Sequence, residues 1–257
     1  MSFNRLRARV KAAKTRMGCR VNIFLGVLIA VVTSFVTPTA VADDTKALPL
    51  PKILILGDLT GSVKENRVPS MSDENLRQAE DINLERGGEL AVGTIDGRSK
   101  TSLVRLTVNP PPTPRKADSG NMGVYEVAMR READRLAQER WRSGTNASVE
   151  PFHASALKLL RGDGTKAETT DVVNALRRAA VYFSEDGVPD TLPILVCISD
   201  GLHTAGRPQT VELPVGVTVV VVNGNGTTGM LQAYAPHVFE AIEPALRFVA
   251  ERARGKR

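Results

Sequence analysis

The feature that most constrains this chain is a short apolar stretch that runs directly into side chains with oxygen atoms. Residues 52–57 read KILILG, and their apolar residues do not alternate with polar ones, which is typical of a strand buried on both faces. Asp58, Thr60 and Ser62 follow at once. A carboxylate and two hydroxyls on one tight loop suit a cation, a phosphate or the start of a helix. The rest of the sequence bears on which of these applies.

Strands and helices alternate through the rest of the chain. Buried strands are predicted at 89–95, 191–199 and 216–222, and an antiparallel edge strand is predicted at 103–108 after the turn DGRSK. Helical patterns lie at 70–88, 123–141, 149–160, 169–183 and 238–253. This order predicts an α/β fold with a doubly wound, Rossmann-like and mostly parallel sheet, one antiparallel edge strand, and helices on both faces.

The helical patterns also carry signals for their starts and for their inner faces. Ser70 with Asp73 has the spacing of a capping box, and Thr169 or Thr170 is expected to cap the helix that follows them. The inner face of the helix at 123–141 is predicted to carry Val124, Val127, Leu136 and Trp141.

The N-terminal segment differs from the rest of the chain in charge and hydropathy. Residues 1–42 hold seven Lys and Arg and no acid, and they contain the apolar run 21–36. Small residues at 40–42 make this segment a signal peptide, with cleavage expected after Ala42. The alternative is an uncleaved membrane anchor. Either reading places the body of the protein outside the cytoplasmic membrane, secreted or in the cell envelope, with residues 43–51 as a linker.

Without that segment the chain is close to neutral, which bears on its partners. The whole chain carries a net charge of +6, but residues 43–257 hold 27 bases and 28 acids and so carry −1. Bulk charge therefore gives no reason to expect a nucleic-acid partner. Cys197 is the one cysteine outside the N-terminal segment. It lies in an apolar strand and is expected to be a buried small residue rather than half of an intrachain disulfide.

Carboxylates follow two of the predicted strands. Asp58 comes after the first strand, and Asp200 comes after the strand at 191–199, within the triplet SDG. Between them in the chain, Thr170 places a hydroxyl at the start of a helix. Sites in parallel sheets form at the carboxyl ends of strands, so these oxygens are expected to lie at one edge. Hard oxygen donors favour Mg²⁺ or Mn²⁺ with several waters retained.

These residues resemble the von Willebrand factor A domain family, also called the integrin inserted domain. Its metal-ion-dependent adhesion site has Asp-x-Ser-x-Ser after the first strand, a Thr at the start of a mid-chain helix, and Asp-Gly after the fourth strand. The matching positions here are Asp58, Thr60, Ser62, Thr170 and Asp200. Thr60 replaces the usual Ser and keeps its hydroxyl. Thr165 is a rival for the middle position, and Thr170 is favoured by its spacing from Ala175 and Leu176.

The resemblance implies a domain at 52–254 that binds a divalent cation and, through it, an acidic side chain of a protein partner. Residues 109–160 are longer than the family core needs, so a helical insertion is expected at about 110–160. The resemblance implies a binding domain rather than an enzyme. From the charge and the leader, no nucleic-acid partner is expected, and contact with a membrane is expected only through an uncleaved leader.

Two other functions are compatible with the same residues. The first is a metal-dependent phosphohydrolase on a similar sheet, with Asp58 as the nucleophile. It lacks a general acid in the haloacid-dehalogenase pattern because position 60 is Thr. The second is a structural envelope protein with a degenerate site.

Two nearby motifs are weaker. Gly224, Gly226 and Gly229 have the spacing of a dinucleotide fingerprint, but only helix is expected to follow them, so a flexible loop is favoured. His203 follows Asp200 closely and is expected to be an exposed loop residue, with a place in the site as the alternative.

Overall fold

A six-stranded sheet forms the centre of the fold. The computed structural model describes residues 48–61, 67–97, 102–114, 123–162, 167–185 and 191–255. The predicted signal peptide, most of the linker at 43–51, Ser62 and Thr165 lie outside these ranges. No helix within the described ranges is long and apolar enough to cross a membrane.

The strands of the sheet are mostly parallel. They are β1 Leu50–Asp58, β2 Gly88–Ile95, β3 Val104–Val108, β4 Thr191–Ile198, β5 Thr218–Val222 and β6 His237–Phe239. Their order across the sheet is β3-β2-β1-β4-β5-β6, and β3 alone is antiparallel to its neighbour. The α/β fold class and the antiparallel edge strand are therefore confirmed. β1 begins at Leu50, within the segment assigned to the linker.

The direction of the strand order changes between β1 and β4. Both strands run in parallel, with Gly57 opposite Ile198, so Asp58 and the residues after Ile198 leave the sheet at the same edge. β1 is buried along nearly its whole length, as its unbroken apolar sequence predicts. A point where the strand order reverses opens a crevice at the carboxyl ends of the strands, and Asp58 and Asp200 lie there.

Helices cover both faces of the sheet. They are α1 Asp73–Arg86, α2 Val124–Arg161, α3 Val172–Ser184 and α4 Ile242–Ala253, with a short 3₁₀ helix at Gly229–Tyr234. α1, the last part of α2 and α4 pack on one face. α3 packs on the other face together with Leu231 of the 3₁₀ helix. Each helix buries an apolar stripe against alternate residues of the strands, which explains the doubly wound arrangement.

Both predicted helix caps are shifted along the chain. α1 is capped by Ser72, whose Oγ accepts a 3.1 Å hydrogen bond from the backbone N–H of Asn75, so the predicted box of Ser70 and Asp73 is wrong. The Asn75 side chain accepts in return from the N–H of Ser72, a role that the sequence rule gives to Glu or Gln. α3 is capped by Asp171, which accepts from the N–H of Asn174 at 3.0 Å. Neither Thr169 nor Thr170 caps α3.

The two helices predicted at 123–141 and 149–160 are one continuous helix of 38 residues, α2. Pro151 lies inside it and removes one intrahelical hydrogen bond. Val149 and Phe152, on either side of Pro151, are buried in the core and hold this part of the helix in place. The helix therefore continues through residues 142–148, which the sequence-based prediction left outside both helices.

The predicted inner face of the first half of α2 is wrong for Val124 and Leu136. Val124 is 90% exposed and Leu136 is 38% exposed, because the buried residues of α2 begin at Val149. Trp141 is half-buried, and its indole N–H donates to the carbonyl of Asn109 at 2.9 Å. Residues 124–140 thus form an arm that carries apolar side chains in solvent.

One strand is absent from the sequence-based prediction. Residues 237–239 form β6 beside β5, and α4 begins at Ile242 rather than Val238. A run of three residues is too short for periodicity to separate a strand from the first turn of a helix.

Candidate metal centre

The Asp58 carboxylate lies at the centre of a set of hydrogen bonds at the carboxyl edge of the sheet. Its Oδ1 accepts from the backbone N–H of Thr60 at 2.9 Å and from the Thr60 hydroxyl at 2.6 Å. Its Oδ2 accepts from the Ser199 hydroxyl at 2.7 Å. Each hydroxyl donates a hydrogen bond to Asp58, so the lone pairs of its oxygen are directed away from the carboxylate.

Ser199 is a member of this cluster that the sequence-based site did not include. Its side chain is fully buried, and its Oγ also accepts from the N–H of Gly201 at 3.0 Å. Ser199 therefore joins the end of β1 to the turn after β4. The triplet SDG places this hydroxyl next to Asp200, but neither the spacing nor the family resemblance indicates which way it points.

Asp200 follows β4 and is completely buried. Its Oδ1 accepts from the N–H of Leu202 at 2.9 Å, which closes a tight turn. Gly201, at the centre of this turn, has a φ of 71°, a conformation that glycine adopts without steric cost. The turn keeps the Asp200 carboxylate at the carboxyl edge, as the sequence predicts.

The buried position of Asp58, its hydrogen bonds and its neighbour Asp200 affect the pKa of its carboxyl group. Burial raises the pKa of Asp58 above its ordinary value, the hydrogen bonds from Thr60 and Ser199 partly offset the rise, and the charge of Asp200 adds to it. The carboxylates of Asp58 and Asp200 are thus close enough to repel each other, and both are buried away from solvent. A cation beside them relieves both the desolvation and the repulsion.

Thr170 is buried immediately before α3, where loops from three strands meet. Its backbone N–H donates to the Thr204 hydroxyl at 2.8 Å, and its carbonyl accepts from the N–H groups of Thr204 and Ala205. The N–H of Asp171 donates to the carbonyl of Asp96, just after β2. The loop after β4 therefore contacts the Thr170 segment directly.

A second contact brings the same segment to the end of β1. Thr60 forms an isolated parallel bridge with Ala167, so the loop that carries Thr60 runs beside the approach to Thr170. The structure thus gathers Asp58, Thr60, Asp200 and the Thr170 segment at one edge. Ser62, the fifth predicted ligand, lies outside the described residues.

The glycine-rich stretch after β5 has a packing role. A Cβ on Gly229 would lie 2.2 Å from the carbonyl oxygen of Gly201, and a Cβ on Gly201 would lie 2.0 Å from that of Thr228. The two backbones cross closely, which explains these two glycines without a bound phosphate. A short strand, β6, does follow the motif, contrary to expectation, but a six-residue 3₁₀ helix takes the place of the α-helix that the fingerprint requires.

The side chain of His203 is buried, against expectation, although the residue as a whole is half-buried. The side chain is 5% exposed, and its Nδ1 lies 4.0 Å from Oδ1 of Asp171. This nitrogen has no hydrogen-bond partner among the described residues. His203 therefore packs beside the Thr170 segment instead of extending into solvent from the loop.

The donor set fits a hard cation held partly by hydroxyls and water. Within the described ranges, no three His, Cys, Asp or Glu side chains are grouped closely enough to hold a metal ion. Among the described residues, a site at this edge therefore has two carboxylates supplemented by neutral oxygens, which is a composition suited to Mg²⁺ or Mn²⁺ rather than to a soft metal. Cys197 is not a candidate ligand, since burial raises the pKa of its thiol to about 12.

The known structures that resemble this chain do so at low sequence identity and with low TM-scores. No family model and no curated protein matches the chain. Solved structures that resemble it include two crystal forms of proximal thread matrix protein 1 (PTMP1) from the mussel byssus, with TM-scores of 0.36 and 0.35 at 14% and 13% identity. They cover 79% and 80% of this chain and 47% of the mussel chain.

A third similar structure is that of PTMP1 with a zinc-occupied MIDAS motif, with a TM-score of 0.35 at 14% identity, covering 79% of this chain and 48% of that one. The chain spans about half the length of these structures. Similarity at such TM-scores identifies neither a family nor a ligand, so the site rests on its own geometry.

Proposed function

We propose that this protein is a secreted or envelope-associated domain of the von Willebrand factor A type that binds Mg²⁺ or Mn²⁺ at the carboxyl edge of its sheet. The observation that carries the proposal is the Asp58 carboxylate, which accepts hydrogen bonds from the buried hydroxyls of Thr60 and Ser199 at two different strand ends. Because the Thr60 hydroxyl donates to Asp58, its oxygen keeps lone pairs for a cation. Asp200, Thr170 and Ser62 complete the proposed ligand set.

The same site is proposed to bind a protein partner through an acidic side chain. When bound, the cation supplies an open coordination position that attracts an anionic ligand. With two carboxylates among its proposed ligands, the ion keeps enough positive charge for that attraction. Thr170 helps to orient this position through its hydroxyl, and the α2 arm lies outside the core where it is free to add specificity.

Partner capture in the presence and absence of metal tests this function. The purified domain is immobilised, exposed to an extract of its native envelope in Mg²⁺, and then washed with a chelator. We expect a bound protein to be released by the chelator, and Thr170→Ala to reduce capture more than it reduces the melting temperature. Capture that is indifferent to chelator contradicts the proposal.

The same preparations distinguish the two other functions. Hydrolysis of a phosphate ester that depends on Mg²⁺ and on Asp58 identifies a phosphohydrolase. A protein that neither binds a cation nor responds to chelator is a structural protein with a degenerate site.

A further inference from the structure

The loop after β4 contacts two of the proposed ligand segments through hydroxyl side chains that are not themselves proposed ligands. Ser199, at the start of the loop, donates to Oδ2 of Asp58 at 2.7 Å. Thr204, five residues later, accepts from the backbone N–H of Thr170 at 2.8 Å. One short loop thus reaches both the end of β1 and the start of α3.

We propose that Ser199 and Thr204 are positioning residues that hold Asp58 and Thr170 in the orientation that binds the cation. This inference rests on the proposed function and extends it to two residues that neither the family pattern nor the comparisons assign.

The contacts of Ser199 restrict the rotation of the Asp58 carboxylate. Thr60 binds Oδ1 and Ser199 binds Oδ2, so both oxygens are fixed from opposite sides. Without the Ser199 hydroxyl, Oδ2 and the N–H of Gly201 each lose a buried partner. The carboxylate then gains freedom to turn, and the adjoining turn that carries Asp200 loosens with it.

The contacts of Thr204 act on Thr170 through the backbone. Thr170 has a buried backbone, and its N–H and its carbonyl are both bonded to residues 204 and 205. Removing the Thr204 hydroxyl leaves the Thr170 N–H without this acceptor. The Thr170 segment then shifts toward another partner, and the position of its hydroxyl shifts with it.

The loop after β4 is also held by contacts with the 3₁₀ helix at Gly229–Tyr234, so it is a suitable support for Asp58 and Thr170. The N–H of Met230 donates to the carbonyl of Gly201 at 3.0 Å. The close crossing of Gly201 and Gly229 leaves no room for the loop to move toward the 3₁₀ helix. A rigid support is what a positioning residue requires, because its own movement would be passed on to the ligand it holds.

The test is the affinity for Mn²⁺ alone, measured by electron paramagnetic resonance on the full domain. We expect Ser199→Ala and Thr204→Val each to raise the Kd for Mn²⁺ by about tenfold or more, which is the usual effect of losing a group that orients a metal ligand. Thr204→Ser keeps the hydroxyl and is expected to bind as the wild type does. Melting in chelator confirms that each variant is folded.

Thr227→Val is the matched control. Its hydroxyl also makes hydrogen bonds within a loop at this edge, to Asn225 and from Asn223, but it contacts none of the proposed ligands that lie in the described residues. We expect its Kd to be unchanged. If Ser199→Ala does not fold, Thr204→Val decides the question, since Thr204 is exposed at the surface.

Wild-type affinity in both Ser199→Ala and Thr204→Val would overturn the positioning role while leaving the proposed function standing. An equal loss in Thr227→Val would also overturn it, because the effect would then be a general loosening of the loops. If the wild type itself does not bind Mn²⁺, the proposed function fails and the positioning role fails with it.

Discussion

The hydroxyl of Ser199, after β4, donates a 2.7 Å hydrogen bond to Oδ2 of Asp58, at the end of β1. The two residues are 141 positions apart in the chain, and the bond is buried. It joins the two central strands of the sheet at the point where the strand order reverses. The geometry at this edge depends on the loops that bring such distant residues together, and several of these loops can be tested separately.

The crossing of Gly201 and Gly229 gives a prediction about stability. In Gly201→Ala a Cβ would lie 2.0 Å from the carbonyl oxygen of Thr228, and the residue would keep a φ of 71°. The left-handed backbone alone costs about 1–2 kcal/mol, and the clash adds to it because the obstructing atom belongs to the backbone. We expect a marked fall in the free energy of unfolding, measured by urea denaturation.

Gly226→Ala is the control for this variant. Gly226 has the same φ of 71°, but no atom lies within 4 Å of its ideal Cβ position. The difference between the two variants therefore isolates the clash. Equal destabilisation in both would mean that the loop after β4 yields easily and does not support the site.

The two parts of α2 are expected to differ in their contribution to stability. Phe152 is 4% exposed and packs in the core, whereas Tyr125 is 76% exposed on the arm. Phe152→Ala should reduce the free energy of unfolding by about 3–5 kcal/mol, and Tyr125→Ser should change it by no more than about 0.5 kcal/mol. Urea denaturation of both variants checks this. A large loss in Tyr125→Ser would show that the arm is packed in solution.

A buried histidine between α1 and α2 predicts a dependence of stability on pH. Nδ1 of His153 lies 2.8 Å from Oε1 of Glu80, and its Nε2 lies 3.0 Å from Oδ1 of Asp73. Burial opposes the charged imidazolium, but the hydrogen bonds to the two carboxylates outweigh burial, and the pKa of His153 is raised above its ordinary value. Arg77, which contacts Asp73 and Glu150, lowers it slightly.

The sign of the effect follows from the direction of the shift. A histidine with a raised pKa stabilises the fold fully below its unfolded pKa of about 6.5, and this stabilisation is lost as the pH rises through the folded value. We therefore expect the free energy of unfolding to fall as the pH rises above about 6.5. Glu80 titrates with a pKa that burial also raises, so the measurement starts above the ordinary range of carboxylates.

Two variants show whether His153 causes the fall. His153→Gln should be less stable near pH 7 and should lose most of the slope. His237→Gln, at an exposed histidine beside Phe248, should keep it. An unchanged slope in His153→Gln would contradict the assignment.

The sheet was largely predictable from the sequence because its central strands are unbroken apolar runs. β1, β4 and β5 bury both faces, and no helix of comparable length would place so many consecutive apolar residues inside. The arm of α2 was not predictable, since Val124 and Leu136 have helical spacing but no surface to pack against. The spacing of apolar residues shows which of them share a helix face, but it does not show whether another element packs against that face.

The site was predictable in part for a similar reason. Asp58 and Asp200 follow apolar strands, so the topology alone brings them to one edge. The contacts of Ser199 and Thr204 depend on how a loop turns, and the cap of α3 depends on whether Asp171 or a neighbouring Thr faces the helix. These conformations are decided by individual hydrogen bonds, several of them between residues far apart in the chain. The spacing of residues in the sequence does not show which of these bonds form.

The most direct test of cation binding is the melting temperature of the wild type and of Asp58→Asn, each in chelator and in saturating Mg²⁺. At a concentration one hundred times the Kd, a ligand specific for the folded state adds about 2.7 kcal/mol, or roughly 5–10 °C for a domain of this size. We expect this rise in the wild type and none in Asp58→Asn, whose melting temperature in chelator should stay close to that of the wild type because the change removes a buried charge. An equal rise in both proteins, or none in the wild type, would contradict a cation site built on Asp58.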